Sequence, residues 1–369
     1  MSLSITKKNI VKFAPKGTPS FYDDVKAKVD EYFQTNNISE QANLTMYVKT
    51  VVMLALYFVP YVLIVTGVAG SVGAWLSYGM WALMGVGVAG IGASVMHDSN
   101  HGSYANNKFV NSMLGGVLNI LGGYAANWRI QHNVLHHTYT NVHGLDEDIA
   151  PGPILRMSPH QPRFGIHRFQ HIYAWFLYCL MNLFWVTVKD YRLLVRYHKS
   201  DLLRKEKLTL KRGIIELSIL KVVYFGYALV LPILFSGLPW YHVVLGFVLM
   251  HVLGGLGLAC IFQPAHVMET SEYPVAGPDR KMENSWAVHQ VLNTTDFAPN
   301  NKFISWFIGG LNFQIEHHLF PQICHVHYPA IAKIVKSVAE EYGLPYQVQP
   351  TFTRALWEHG RMLKKLGEA

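Results

Sequence analysis

Four stretches of this chain are long and apolar enough to cross a bilayer, and that limits the fold before any other feature does. A spanning helix needs about 20 mostly apolar residues. Residues 51–67 and 73–96 meet this need and read as a helical hairpin, turned by the glycines and serine of 67–73. Residues 214–235 and 240–262 read as a second hairpin, turned at "SGLP". Glu216 and Lys221 lie near the start of the third helix, within reach of the interface. Trp240 and Tyr241 suit an interfacial aromatic belt.

Composition agrees. Apolar residues make up 51% and charged residues 15%, against about 25% charged in a typical globular domain. So much apolar surface faces lipid rather than a single core. Cys179, Cys260 and Cys324 share no short spacing, so neither a disulfide framework nor a cysteine-based zinc site is expected. The net charge of +8 is read as contact with an anionic membrane face, not with nucleic acid. The polar opening stretch, residues 1–44, carries no cleavable secretion signal. The expected organisation is a cytoplasmic N-terminal segment (1–47), a membrane domain (48–345) and a cytoplasmic C-terminal tail (346–369).

Two further stretches are ambiguous, 109–126 and 171–188. Three histidine clusters constrain them: "HDSNH" at 97–101, "HNVLHH" at 132–137 and "QIEHHLFP" at 314–321. If the clusters cooperate they lie on one side of the membrane, and an even number of crossings separates the second from the third. Three apolar stretches lie between those two, so one of them does not cross. Residues 189–212 hold nine Lys/Arg against three Asp/Glu, and the positive-inside rule places them in the cytoplasm. The preceding stretch, 171–188, is therefore expected to lie flat on the cytoplasmic face. The resulting fold class is an all-α integral membrane protein. It has four transmembrane helices in two hairpins, a cytoplasmic helical cap, and both termini inside.

His97 and His101 are four positions apart and share a helix face, as do His132 and His136. His137 adds a nitrogen pointing elsewhere. His317 and His318 diverge by roughly 100° on a helix, so one helix can serve two ions. Gln314 lies one turn earlier and offers a weaker oxygen donor. His266, just past the fourth helix, is the candidate eighth imidazole. Seven or eight imidazoles exceed the four ligands of a structural zinc site, fit two ions, and suit Zn, Cu, Fe or Ni. Metal-bound histidines need acceptors behind them; Asp98, Glu316, Asp146, Asp148 and Asp296 are the candidates. His251, inside the fourth helix, is read as a helix-to-helix hydrogen bond.

The three boxes together resemble the membrane fatty acyl desaturases, over roughly residues 51–334. "HDSNHGSY" is similar to their first box, and "QHNVLHHTYTNVHGLDEDI" to the second with its following loop. "GGLNFQIEHHLFP" is similar to the third box of the front-end, linoleoyl-type branch, where glutamine replaces histidine. The resemblance implies an O2-dependent acyl desaturase of front-end, delta-6-like type, with two non-haem iron ions. It implies His97, His101, His132, His136, His137, His266, His317 and His318 as ligands, with Gln314 at the variable position and His325 behind them. It implies a fatty acyl lipid or acyl-CoA as substrate. Residues 1–50 lack the "HPGG" of a fused cytochrome b5 domain, so a separate electron donor is expected, a ferredoxin or a free cytochrome b5. The basic residues 189–212 can dock an acidic donor or anionic lipid. The aromatic stretch "YAWFLYCLMNLFW" can wall an acyl tunnel or anchor the protein in the membrane. The expected location is a bacterial inner membrane, with the active site in the cytoplasm.

Three rivals make different predictions. A fatty acyl hydroxylase on the same scaffold adds one oxygen instead of removing two hydrogens. A membrane zinc hydrolase carries one zinc. A bis-histidine haem protein needs facing histidines within the spanning helices.

Overall fold

The computed structural model describes residues 11–369. Residues 1–10, part of the expected N-terminal segment, lie outside that range. Helices dominate. The only strands among the described residues are a two-residue parallel pair, Asp296–Phe297 with Val348–Gln349.

Helix Leu44–Val65 starts at Asn43, whose side chain accepts from Met46 N at 3.3 Å, satisfying one of the free amides of the first turn. The next long helix, Ala74–His101, packs closely against two others. A Cβ at Gly87 would lie 3.0 Å from the Leu56 backbone, and one at Gly85 would lie 2.6 Å from Met250 O. Small residues let helices approach this closely in lipid, where apolar burial alone gives no drive to associate. Leu210–Phe235 and Trp240–His266 form the second hairpin. Side chains such as Val51, Val59, Ile219 and Val222 are exposed on these helices, as lipid-facing surface requires.

Five helices are long and apolar enough to span a membrane, where the sequence suggested four. The fifth is Gly165–Lys199. Its apolar centre is the stretch expected to lie flat, and helical polar flanks extend it to 35 residues. Residues 109–126 give no straight span. They form Lys108–Ile120 and part of Ala125–Tyr139, which meet at a 112° bend.

Both ends of Gly165–Lys199 are tied to one end of the second hairpin. Near its start, Gln170 Nε2 donates to Leu363 O at 2.7 Å, and Tyr178 OH lies 2.8 Å from His359 Nε2. His359 Nδ1 donates at 2.9 Å to Val267 O, just past the end of Trp240–His266. At the far end, Leu194 packs on Gly213 near the start of Leu210–Phe235, and Tyr191 OH lies 3.2 Å from Ser218 Oγ. Between them, Asp190 pairs with Lys221 at 2.8 Å, both buried. His251 bonds Asn182 at 3.0 Å and Tyr224 at 2.7 Å, so it links three helices as expected.

Residues 346–369, expected as a C-terminal tail, include a packed helix. Helix Phe352–Glu368 buries Met362, Leu363 and Leu366 against Ala174, Tyr178 and Ala259.

Candidate metal centre

The histidines stand on four segments whose local structure aims them. Helix Ala74–His101 passes through a π-helical turn, Ile91–Val95, just before His97. A second π-helical turn, Ile130–His136, carries most of the second cluster. Such wide turns occur often at functional sites. Trp240–His266 continues through Pro264 to His266, past the expected end at 262. The short buried helix Gln314–Leu319 carries His317 and His318. Two glycines with positive φ, Gly309 and Gly310, bring that helix in. Gly309 lies so near Ala93 that a Cβ would sit 2.2 Å from Ala93 O.

All eight candidate imidazoles meet. His97, His101, His132 and His317 place one ring nitrogen each within 4.8 Å of one another. His136, His266 and His318 form a second such group, and His137, His317 and His318 join the two. His317 and His318 diverge as expected. His132 and His136 stay close, each with a ligand atom within 4.8 Å of the other and of Asp148, yet they also belong to different imidazole groups. The π-turn spaces residues i and i+4 differently from an α-helix, so His132 faces the first group and His136 the second.

His132 Nε2 lies 3.2 Å from both His97 Nε2 and His137 Nε2. Two imidazoles on one ion, with bonds of about 2.1 Å, have nitrogens about 3.0–3.4 Å apart. Nε2 of His101, His136, His317 and His318 and both nitrogens of His266 are buried without a hydrogen-bond partner. Buried polar atoms rarely stay unpaired. Burial and the neighbouring imidazoles hold His317 and His318 well below the ordinary histidine range, so both stay neutral and able to ligate. A donor set of neutral, inward-turned nitrogens fits a metal centre.

Acceptors stand behind several rings. Asp146 Oδ2 accepts from His136 Nδ1 at 3.1 Å, and Asp148 lies 3.4 Å from the same nitrogen. Asp98 Oδ1 lies 3.5 Å from His97 Nδ1. Asp98 Oδ2 accepts from His325 Nδ1 at 2.7 Å. Glu316 reaches no imidazole. It accepts from Tyr346 OH at 2.9 Å, and that hydroxyl also bonds Asp296 at 2.7 Å. Burial and the adjacent Asp296 push the Glu316 carboxyl well above its usual range. Gln314 is buried, its amide donating to Leu311 O at 2.7 Å and its Oε1 unpartnered.

Three groups behind the rings were not among the sequence candidates. Gln290 Oε1 accepts from His318 Nδ1 at 2.8 Å, Thr140 Oγ1 lies 2.7 Å from the same oxygen, and Tyr328 OH lies 3.3 Å from His317 Nδ1. Each is more than ten residues from the ring it serves, and only Thr140 stands in a quoted histidine motif.

A cavity of about 120 Å³ lies against His97 and His132. Gly92, Met96, Trp128, Leu258 and Phe262 form much of its apolar wall, and Gln131, Asp148 and Lys189 add polar groups. From the aromatic stretch, only Met181 and Trp185 line it. Phe176 and Phe184 are exposed instead.

The chain matches the family model described as "Fatty acid desaturase" over residues 73–350. It is 35% identical to the sn-1 linoleoyl-lipid 6-desaturase of Arthrospira platensis, covering 94% of this chain and 92% of that protein. It is 34% identical to the protein of the same name from Synechocystis sp., covering 97% and 98%. It is 36% identical to the acyl-lipid (8-3)-desaturase of Physcomitrium patens, covering 98% and 74%. With this match over three quarters of its length, and with its three histidine boxes gathered into one buried cluster, the chain belongs to the fatty acid desaturase family and is an acyl desaturase.

Proposed function

We propose that this enzyme is an O2-dependent front-end desaturase that inserts a double bond into the acyl chain of a membrane lipid, delta-6-like in position. One observation carries the reading: eight imidazoles from four distant segments converge, and seven of them bury a ring nitrogen without a hydrogen-bond partner. Seven come from the three boxes, and His266 is the eighth. Relatives named linoleoyl-lipid 6-desaturases align along nearly the whole chain, which favours a lipid-borne acyl group over acyl-CoA.

His97, His101, His132 and His317 would hold one iron, His136, His266 and His318 the other, with His137 between them and Gln314 nearby. When bound, the iron pair supplies the O2 activation that removes two hydrogens from adjacent methylenes while O2 is reduced to two waters by two added electrons and protons. The chain's own part is placement. Asp146 fixes the His136 tautomer, Gln290 that of His318, and the apolar wall beside His97 and His132 keeps water from the bound acyl segment.

Four spans, two hairpins and a helical cap support this arrangement. Gathered clusters require an even number of crossings between His137 and His317, and Gly165–Lys199 has both ends tied to one end of the second hairpin. That helix therefore lies along the face that carries the metal centre. The basic residues 189–212 make that face cytoplasmic, and the membrane is read as a bacterial inner membrane. A groove of about 610 Å³, lined by Arg192, Arg196 and Lys199, offers an acidic electron donor, ferredoxin or cytochrome b5, a place to dock. Asp146, which bonds His136, is also in its wall.

Expression in a host of known lipid composition, with double-bond mapping and metal analysis, tests the reading. A product two hydrogens lighter and about two irons per chain are expected. A product one oxygen heavier would instead assign a hydroxylase, and a single zinc would assign a hydrolase.

A further inference from the structure

Asp98, Cys324 and His325 form a third buried group of potential ligands. Beside it, across the His325 ring, stands a cation of the chain itself. Lys49, on the first membrane helix, is only 2% exposed. Its Nζ lies 2.5 Å from His325 Nε2 and 5.6 Å from the centre of the Trp306 ring. A buried ammonium is costly unless paired, and the carboxylate that balances it, Asp98, stands on the far side of the His325 ring.

The hydrogens along this chain run one way. Lys49 carries only donors, so His325 Nε2 accepts. His325 then carries its proton on Nδ1 and donates it to Asp98 Oδ2 at 2.7 Å; its backbone N–H donates to the same oxygen at 3.1 Å. Both bonds hold the carboxylate so that Oδ1 approaches His97 Nδ1 at 3.5 Å, an ion-pair contact and not a hydrogen bond. A carboxylate there favours the proton on His97 Nδ1 and leaves Nε2 free, turned toward His132 Nε2 at 3.2 Å.

We infer that Lys49 is a positioning residue of the metal centre, setting the tautomer and orientation of His97 through His325 and Asp98. This inference rests on the iron reading above. It gives the first membrane helix a part in holding the metal, although that helix supplies no ligand. A lysine serving only as a buried structural charge would need neither a neutral ring in the middle nor an aspartate beside a ligand.

The test is the rate at which the detergent-purified full-length holoenzyme loses iron to a chelator. Loss of groups behind metal ligands typically weakens binding about 10–100-fold. K49M should release iron at least tenfold faster than wild type, with kcat lowered and KM for the lipid unchanged. K49R, which keeps the charge and the donors, should restore retention to within about threefold. K221M breaks another buried lysine pair and controls for general destabilisation; it should release iron at the wild-type rate per folded chain. Wild-type retention in K49M overturns the inference, and so does equal loss in K49M and K221M. If K49M does not accumulate, K49R decides: retention supports the inference, and release at least tenfold faster than wild type overturns it. Wild-type protein that purifies without iron sinks the iron reading itself, so the two failures are distinct.

Discussion

Gln290 Oε1 accepts a hydrogen bond from His318 Nδ1 at 2.8 Å, joining helix Trp286–Asn293 to the helix that carries the third box. The bond leaves the other ring nitrogen, Nε2, deprotonated and facing His136 and His266. Gln290→Leu removes the acceptor while keeping the volume similar. It should weaken iron retention about 10–100-fold, read as iron per chain after dialysis against a chelator. Iron content equal to wild type would show that the ring needs no such partner.

His136 has Asp146 on one nitrogen and no partner on the other. His136→Ala should abolish new double bonds and lower iron per chain, while membrane insertion stays intact. Normal product levels in that variant would refute a ligand role.

Asp190 and Lys221 are a buried ion pair, and Lys221 also donates to Gly122 O at 2.5 Å. Removing one partner of such a pair leaves a buried charge uncompensated and costs about 3–5 kcal/mol. Asp190→Asn should therefore lower the thermal midpoint in detergent sharply. The double variant Asp190→Leu with Lys221→Met should recover much of the loss, as comparison of the two midpoints would show.

Gly309 combines φ of +64° with a backbone contact that leaves no room for a Cβ. Gly309→Ala should cost about 2 kcal/mol or more and loosen the third box, seen as a lower midpoint together with faster iron loss.

Burial lowers His359 from 6.5 to about 4. Its Nδ1 donates to Val267 O and its Nε2 faces Tyr178 OH, so the neutral ring satisfies both sites. The unfolded chain binds this proton more readily, so stability is full above about pH 6.5 and falls as pH drops toward 4. The loss is on the order of 3 kcal/mol. Thermal melts from pH 7.5 to 4 should show it, and His359→Phe should flatten that slope while lowering the midpoint at neutral pH. An unchanged slope in His359→Phe would assign the acid sensitivity to other groups.

Some of this was legible in residues alone. Apolar length marked the two hairpins, because a bilayer accepts only helices of about that length. Histidine spacing named the imidazoles that meet, because a helix repeats its face every three to four residues. The departures also have physical causes. His132 and His136 remain neighbours but reach different imidazole groups, because a π-turn, absent from the spacing rule, carries that cluster. Glu316 turned to Tyr346 and Asp296 because the short helix of the third box is buried on every side, and only some of its faces meet imidazoles.

What the sequence settled by itself is the membrane class, the family resemblance and the set of candidate ligands, since these depend on local runs of side chains. Only the tertiary structure decided how the rings divide between two groups, where Gly165–Lys199 is anchored, and which residues stand behind the rings. Those outcomes depend on contacts such as Lys49 with His325 and Thr140 with Gln290, separated by 276 and 150 positions. A hydrogen bond acts over about 3 Å in space, and no local pattern records which distant residue arrives there.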